Sequence, residues 1–363
     1  QSGATVFDRL AEVRYAAESK NNFAAILGMS TLPLRGLSRA NSAVAPDIDF
    51  HVLFDTSPSM ALPATTAGLA VQTAKTGGCA FACHQLELDP SKAGDLIEIN
   101  SSTYPNMNTV EYFTQVNKDS KGKIVSTKYF TDYYGIAKLN NLTLRIDNAR
   151  EAITELPDFA TDTSIKNGAS YRIAVHSFDT YFTPRVAMTA DMNLAKTQSS
   201  TIPMLRTYKN GWLTSTINDN DTNTAISNAM GGMNSAIANP GNGKKTGGDT
   251  PQKILFIISD GMRDENWGGR VMGPFPQALC DTIKNRGIRI AVLYTEYLKE
   301  SASDGWSISN VKTPFLDPVD RITPAMQSCA STGLFYKVTT DSDITAALKA
   351  LFQKAVQTAR IIK

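Results

Sequence analysis

The sequence predicts an α/β protein with an open, doubly wound, mainly parallel sheet and a long insertion after the first strand. Three observations lead there. Five short apolar runs, FHVLF (50–54), YRIAVHSF (171–178), KILFIIS (253–259), RIAVLYT (289–295) and LFYKVT (334–339), read as buried strands. Helical patterns separate them, as in βαβ units. Two of the runs are followed by turns bearing aspartates, Asp55 and Asp260, at the carboxyl ends of strands, where the ligand crevice of such a sheet opens.

With 363 residues, 42% of them hydrophobic, the chain can fill the core of one large domain or two ordinary ones. Lys plus Arg number 36 against 34 Asp plus Glu, so no basic field argues for nucleic acid or an anionic membrane surface. No apolar run approaches the roughly 20 residues that a bilayer-spanning helix needs. The opening QSGATVFDRLAEVRYAAESK lacks the charged, apolar and cleavage regions of a signal peptide. Because the chain starts at Gln1, any membrane contact is expected through an anchor upstream of it.

Residues 1–47, with the apolar FAAILGM (23–29) and a small-residue stretch ending in a linker, read as a preceding segment, part of a truncated N-terminal domain. The main domain is expected over 48–360. Its first strand is followed by residues 61–140, rich in Thr, Ser, Asn, Tyr and Lys, an insertion too long to be a bare loop. Leu142, Ile146, Ala149, Ile153 and Leu156 then form one apolar stripe of a helix that Pro157 is expected to help end. Further helices are expected over 224–238, 274–286, 320–330 and 341–360, with NPGNGKKTGGDTP (239–251) a flexible surface loop.

The stretch IDFHVLFDTSPSM (48–60) contains Asp-x-Ser-x-Ser, with Asp55, Ser57 and Ser59 at a strand end. A hard divalent cation needs several oxygen ligands held close together, and this loop can aim a carboxylate and two hydroxyls at one point. The pattern alone arises by chance in roughly one chain in ten of this length. Its partners carry the weight. Asp260 before Gly261 brings a second carboxylate from another buried strand, and Thr224 opens a helix whose apolar side is Ile226, Ala229 and Met230, where its hydroxyl can cap the helix or reach a cation.

These residues resemble the von Willebrand factor A domain and its metal-ion-dependent adhesion site, over roughly residues 48–360. The resemblance implies a Rossmann-like fold and a cation held by Asp55, Ser57, Ser59, Thr224 and Asp260, with the hydroxyls binding directly and one or both carboxylates through water. Magnesium is the first expectation, calcium or manganese the alternatives, and a carboxylate from a protein partner would complete the coordination sphere. The sequence departs from the family pattern at Pro58, where Gly is common, and in DTNT (221–224), where Thr224 is preferred to Thr222 on its spacing to Ala229 and Met230.

Four cysteines, Cys79, Cys83, Cys280 and Cys329, suit two disulfides and an oxidising compartment. CAFACH has three residues between its cysteines, not the two of a covalent haem site, so no haem is expected. Zinc would have to recruit His84 and a fourth ligand, yet His51 and His176 lie inside strands. A local Cys79–Cys83 disulfide is the plainer expectation, leaving Cys280 and Cys329 to pair across neighbouring elements. Together, DTSPSM, CAFACH, LRIDNAR and the two later cysteines look like the TadG-like proteins of bacterial tight-adherence (Flp) pilus systems. That resemblance implies a periplasmic or surface-exposed protein anchored by an N-terminal membrane helix.

No GxSxG, HExxH or complete phosphate-binding loop is present, and Asp264 and Glu265 read as surface carboxylates serving solubility. The expected function is a metal-dependent protein-binding or adhesion module of a surface pilus system, not an enzyme. The alternatives are a structural subunit of a cell-surface assembly with a vestigial or stabilising metal site, and a hydrolase using a cation-bound water near Asp260.

Overall fold

Each of the five apolar runs becomes a strand of one central sheet. The computed structural model describes residues 9–20, 31–42, 45–78, 80, 96–205, 223–244 and 248–359. An antiparallel hairpin of β1 (Arg9–Lys20) and β2 (Thr31–Ser42) precedes β3 (Ile48–Asp55). The insertion holds α1 (Thr66–Lys75), a three-stranded antiparallel sheet of β4 (Ile97–Ile99), β5 (Phe113–Lys118) and β6 (Ile124–Thr131), and α2 (Tyr133–Leu139). Next come α3 (Arg145–Asn167), β7 (Tyr171–Phe178), β8 (Phe182–Thr189), α4 (Met192–Ser199) and α5 (Ile226–Ala236). They are followed by β9 (Gln252–Ser259), the hairpin of β10 (Met262–Asn266) and β11 (Arg270–Pro274), and α6 (Gln277–Lys284). The chain closes with β12 (Arg289–Thr295), α7 (Ile322–Cys329), β13 (Phe335–Val338) and α8 (Ile344–Ala359).

The central order is β13-β12-β9-β3-β7-β8. β3 pairs in parallel with β7 and with β9, Val52 lying opposite Val175 on one side and Phe256 on the other. β12 and β13 continue in parallel, and β8 runs antiparallel at the far edge. The sheet is therefore doubly wound from β3 outward, and the order reverses at β3, which places the crevice beyond its carboxyl end.

All eight residues of β3 are buried because helices cover both faces, which is why the run reads as apolar without clear alternation. Phe50, Val52 and Phe54 pack with Leu156 of α3 and Leu348 and Phe352 of α8; Leu53 packs on the opposite side with Met230 and Met233 of α5 and Ile283 of α6. The Phe50 ring centroid lies 4.9 Å from that of Phe352 and 5.3 Å, edge-on, from that of Tyr171. Each such side chain contributes about 1.5–3 kcal/mol by burial. The insertion has a small core of its own from Ile99, Tyr104, Met107, Ile136 and Leu139.

Pro157 does not end its helix. It lies inside α3, which runs on to Asn167 and the left-handed Gly168. The lost N–H is offset because Leu156, Pro157 and Ala160 are all buried on the core side. Residues 239–244 and 248–251 are also better held than their composition suggests: Asp249 accepts from the backbone N–H groups of Asn242 (3.0 Å) and Lys244 (2.7 Å), and Asp47 N–H donates to the Gly243 carbonyl. Cys280 in α6 and Cys329 in α7 form a disulfide. Cys79, Cys83 and His84 lie outside the described residues, as does FAAILGM.

Candidate cation site

Asp55, the last residue of β3, is fully buried and spends both oxygens locally. Oδ1 accepts from the Ser57 backbone N–H (3.0 Å) and Oδ2 from the Ser259 hydroxyl at the end of β9 (2.6 Å). Pro58 fits this loop. It is the first residue of a single 3-10 turn, Pro58–Ala61, where a fixed φ and a missing N–H cost little, and Ser57 before it is extended. The turn sets the Ser57 and Ser59 hydroxyl oxygens 3.0 Å apart.

Asp260 follows β9 on the neighbouring strand and is 1% exposed. Its carboxylate accepts from the Ser59 hydroxyl and from the Met262 backbone N–H, the latter at 3.2 Å. Gly261 makes the sharp exit: its φ is +75°, and a Cβ there would stand 2.6 Å from Met326 Cγ. Ser59 thus joins the two carboxylate-bearing loops. Burial first, and the charge of Asp260 second, push the Asp55 carboxyl up to about 7; burial likewise raises Asp260. Two carboxylates desolvated together, with two hydroxyls between them, leave a charge deficit that a cation would relieve.

Thr224 is placed differently. It forms an antiparallel bridge with Asp264 of β10, its N–H donating to the Asp264 carbonyl (3.0 Å) and its carbonyl accepting from the Asp264 N–H (3.2 Å). It is buried, but among the described residues the hydrogen bonds that join Asp55, Ser57, Ser59 and Asp260 do not extend to it. Nor does it cap α5, which begins at Ile226 with Ala225 as N-cap. That task falls to Glu265, whose Oε1 accepts from Ser227 N–H (2.7 Å) while Oε2 accepts from Trp267 Nε1 (2.6 Å).

Asp264 and Glu265 are therefore not solubilising surface groups. They are 6% and 2% exposed. Asp264 is held by both nitrogens of a fork from Arg270 (2.9 and 2.6 Å), whose guanidinium lies 4.6 Å from the Trp306 ring centroid. The β10–β11 hairpin thus ties the Thr224 loop to the chain leaving Asp260. Sequence reasoning missed Ser259 and misread Glu265 as a surface group; a serine ending a strand and an acidic residue after a turn are too common to stand out.

Among the described residues no three of His, Cys, Asp or Glu gather as a metal site. Any cation here would therefore lean on the hydroxyls and on an oxygen from outside. Space for a partner exists nearby: a cleft of about 650 Å³ is lined by residues including Glu111, Tyr134, Arg150, Asp179 and Leu205. It adjoins the site loop, since Thr56 donates its hydroxyl to Asp179 (3.1 Å) and its carbonyl accepts from Leu205 N–H (2.8 Å).

No protein-family model matches the chain, and no curated protein matches it. Among solved structures it is similar to BatB from Bacteroides thetaiotaomicron, with 13% identity over 85% of this chain and 99% of that one and a TM-score of 0.41. It is also similar to the vWF domain of the type V pili tip protein Mfa5 from Porphyromonas gingivalis, with 11% identity, coverage of 88% and 97%, and a TM-score of 0.42. A third is proximal thread matrix protein 1 from the mussel byssus with a zinc-occupied MIDAS motif, with 11% identity, coverage of 86% and 48%, and a TM-score of 0.39. At similarities this weak, the strand order defines the fold and the residues define the site.

Proposed function

We propose that this protein is a metal-dependent protein-binding or adhesion module, not an enzyme. A divalent cation, magnesium first, would be held by Asp55, Ser57, Ser59 and Asp260, with Thr224 the fifth residue of the expected set. The observation that carries this reading is the pair of buried carboxylates on adjacent strand ends, joined by the Ser57–Ser59 hydroxyl pair. The bound cation would supply a Lewis-acidic point for a partner's carboxylate. The chain's own residues orient it: Ser259 fixes the Asp55 carboxylate, Gly261 turns the chain, and the β10–β11 hairpin holds the Thr224 loop. The resemblance to TadG-like proteins, with the Cys280–Cys329 disulfide, supports an envelope or pilus context with a protein partner, periplasmic or at the cell surface. Isothermal titration with Mg²⁺ and Mn²⁺ tests the site: wild type should bind one ion, and Asp55→Ala none. Equal heats from both would sink the proposal.

One observation favours the second reading, a structural subunit. Val13, Tyr15 and Leu34, which share one face of the β1–β2 hairpin, are each more than half exposed, an apolar surface suited to a neighbouring subunit. Concentration-dependent assembly, lost when Tyr15 and Leu34 become Ser, would support it.

A further inference from the structure

The β1–β2 hairpin is a two-stranded sheet with 12 residues in each strand, and among the described residues neither strand has a second neighbour or joins a hydrophobic core. Such a hairpin is marginal in water by itself and gains stability as part of a wider sheet with an apolar face. Its register puts Val13, Tyr15 and Ala17 on one face with Leu34 and Gly36, and Glu12, Arg14 and Glu18 on the other. Residues 13–18 are all exposed. The Tyr15 ring leans across its cross-strand partner Gly36, where an added Cβ would stand 1.9 Å from Tyr15 Cζ, so the ring lies over β2 and not over the outer edge of β1.

The two outer edges differ in what they admit. β2 carries Pro33, which has no N–H to give to a ladder, and its only charged residues, Arg35 and Arg39, are both cationic, so two copies of β2 repel. β1 has no proline, and its charges at positions 12, 14, 18 and 20 run Glu, Arg, Glu, Lys on either side of Ala16. Reversed about Ala16, that order becomes its own complement. We propose that β1 pairs antiparallel with β1 of a second copy of this chain, about a two-fold axis at Ala16, forming a four-stranded sheet β2-β1-β1-β2. Arg14 then stands opposite Glu18 of the other copy and Glu12 opposite Lys20, each twice, while Tyr15 stands opposite Ala17 and the two apolar faces become one. A slip of one residue sets the apolar face of one copy beside the charged face of the other, and slips of two oppose Glu12 with Glu18 or Arg14 with Lys20. Within its own strand Arg14 also pairs with Glu12, so the charges form an alternating ladder. A two-fold contact of this kind closes as a dimer, whereas β1 adding to β2 of the next copy would run on as a filament. This inference shares its hairpin with the structural-subunit reading, adds the partner and the register to it, and is independent of the cation site.

Sedimentation velocity of the full chain at low salt, over a wide range of protein concentration, tests it. Wild type should show a monomer–dimer equilibrium with no larger species. Arg14→Glu and Glu18→Arg should each raise the dimer dissociation constant at least roughly ten-fold, because each turns two attractive pairs into repulsive ones. An equimolar mixture of the two variants, and the chain carrying both substitutions, should regain most of the wild-type dimerisation, since each again opposes unlike charges at positions 14 and 18. Single variants that dimerise like wild type, or a mixture no better than its components, overturn the register. Growth beyond the dimer overturns the two-fold contact. A wild-type chain that stays monomeric removes both this inference and the structural-subunit reading. Assembly that is lost when Tyr15 and Leu34 become Ser, yet unmoved by the charge variants, removes this inference alone.

Discussion

Replacing Asp55 by Asn should stabilise the metal-free protein above neutral pH, although it removes a buried, well hydrogen-bonded group. Burial and the neighbouring Asp260 charge push the folded-state carboxyl up to about 7 from its ordinary 3.8, so the folded protein binds this proton more tightly than the unfolded chain does. Stability from this source is complete below about pH 4 and is lost as pH rises through about 7. Three pH units correspond to about 4 kcal/mol, and since the effect is shared with Asp260, about 2–4 kcal/mol is expected at pH 8.5. Asn retains an acceptor for Ser57 N–H or the Ser259 hydroxyl and carries no charge to repel Asp260. The histidines act in the opposite sense: burial lowers His51 to about 4 and also lowers His176, so their contribution is full above about 6.5 and declines as pH falls below it. The raw profile is therefore blunted, and the difference between wild type and variant isolates Asp55. Urea unfolding in EDTA from pH 5 to 8.5, with m-values checked for constancy, measures it. A difference that stays flat with pH, or a variant less stable than wild type at pH 8.5, would refute the reasoning. Mg²⁺ at about 100 times its dissociation constant should restore about 2.7 kcal/mol to wild type and little to Asp55→Asn.

Glu265→Ala removes the acceptor for Ser227 N–H and Trp267 Nε1 at the start of α5, and should cost about 2 kcal/mol, or about 4 °C in a thermal melt. Glu265→Gln should cost less than half of that; equal losses would show that the carboxylate is not the cap. Cys329→Ser opens a disulfide that closes a 49-residue separation, for which chain entropy gives about 4 kcal/mol, measurable as a lower urea midpoint. An unchanged midpoint would mean that packing of α6 on α7 suffices without the bond.

Strand identity was legible because it is local: a run buried on both faces must be apolar wherever it sits, and all five apolar runs lie in the central sheet. Pairing of Cys280 with Cys329 was legible as a possibility, from two helices each followed by a strand. Asp55, Ser57, Ser59 and Asp260 were readable for the same reason, since polar residues just beyond such runs mark the sheet's carboxyl edge, and the fold does bring these four together. What the sequence could not decide depends on which non-neighbours share a buried space. Pro157 stays inside α3 because the core behind it extends to Ala160; Asp264 and Glu265 are buried because a hairpin folds back over α5; Thr224 is bridged to Asp264. Local pattern determines which groups reach the edge. Only tertiary packing decides which charges are desolvated, and with what partners, because desolvation depends on every element around a group and not on its neighbours in the chain.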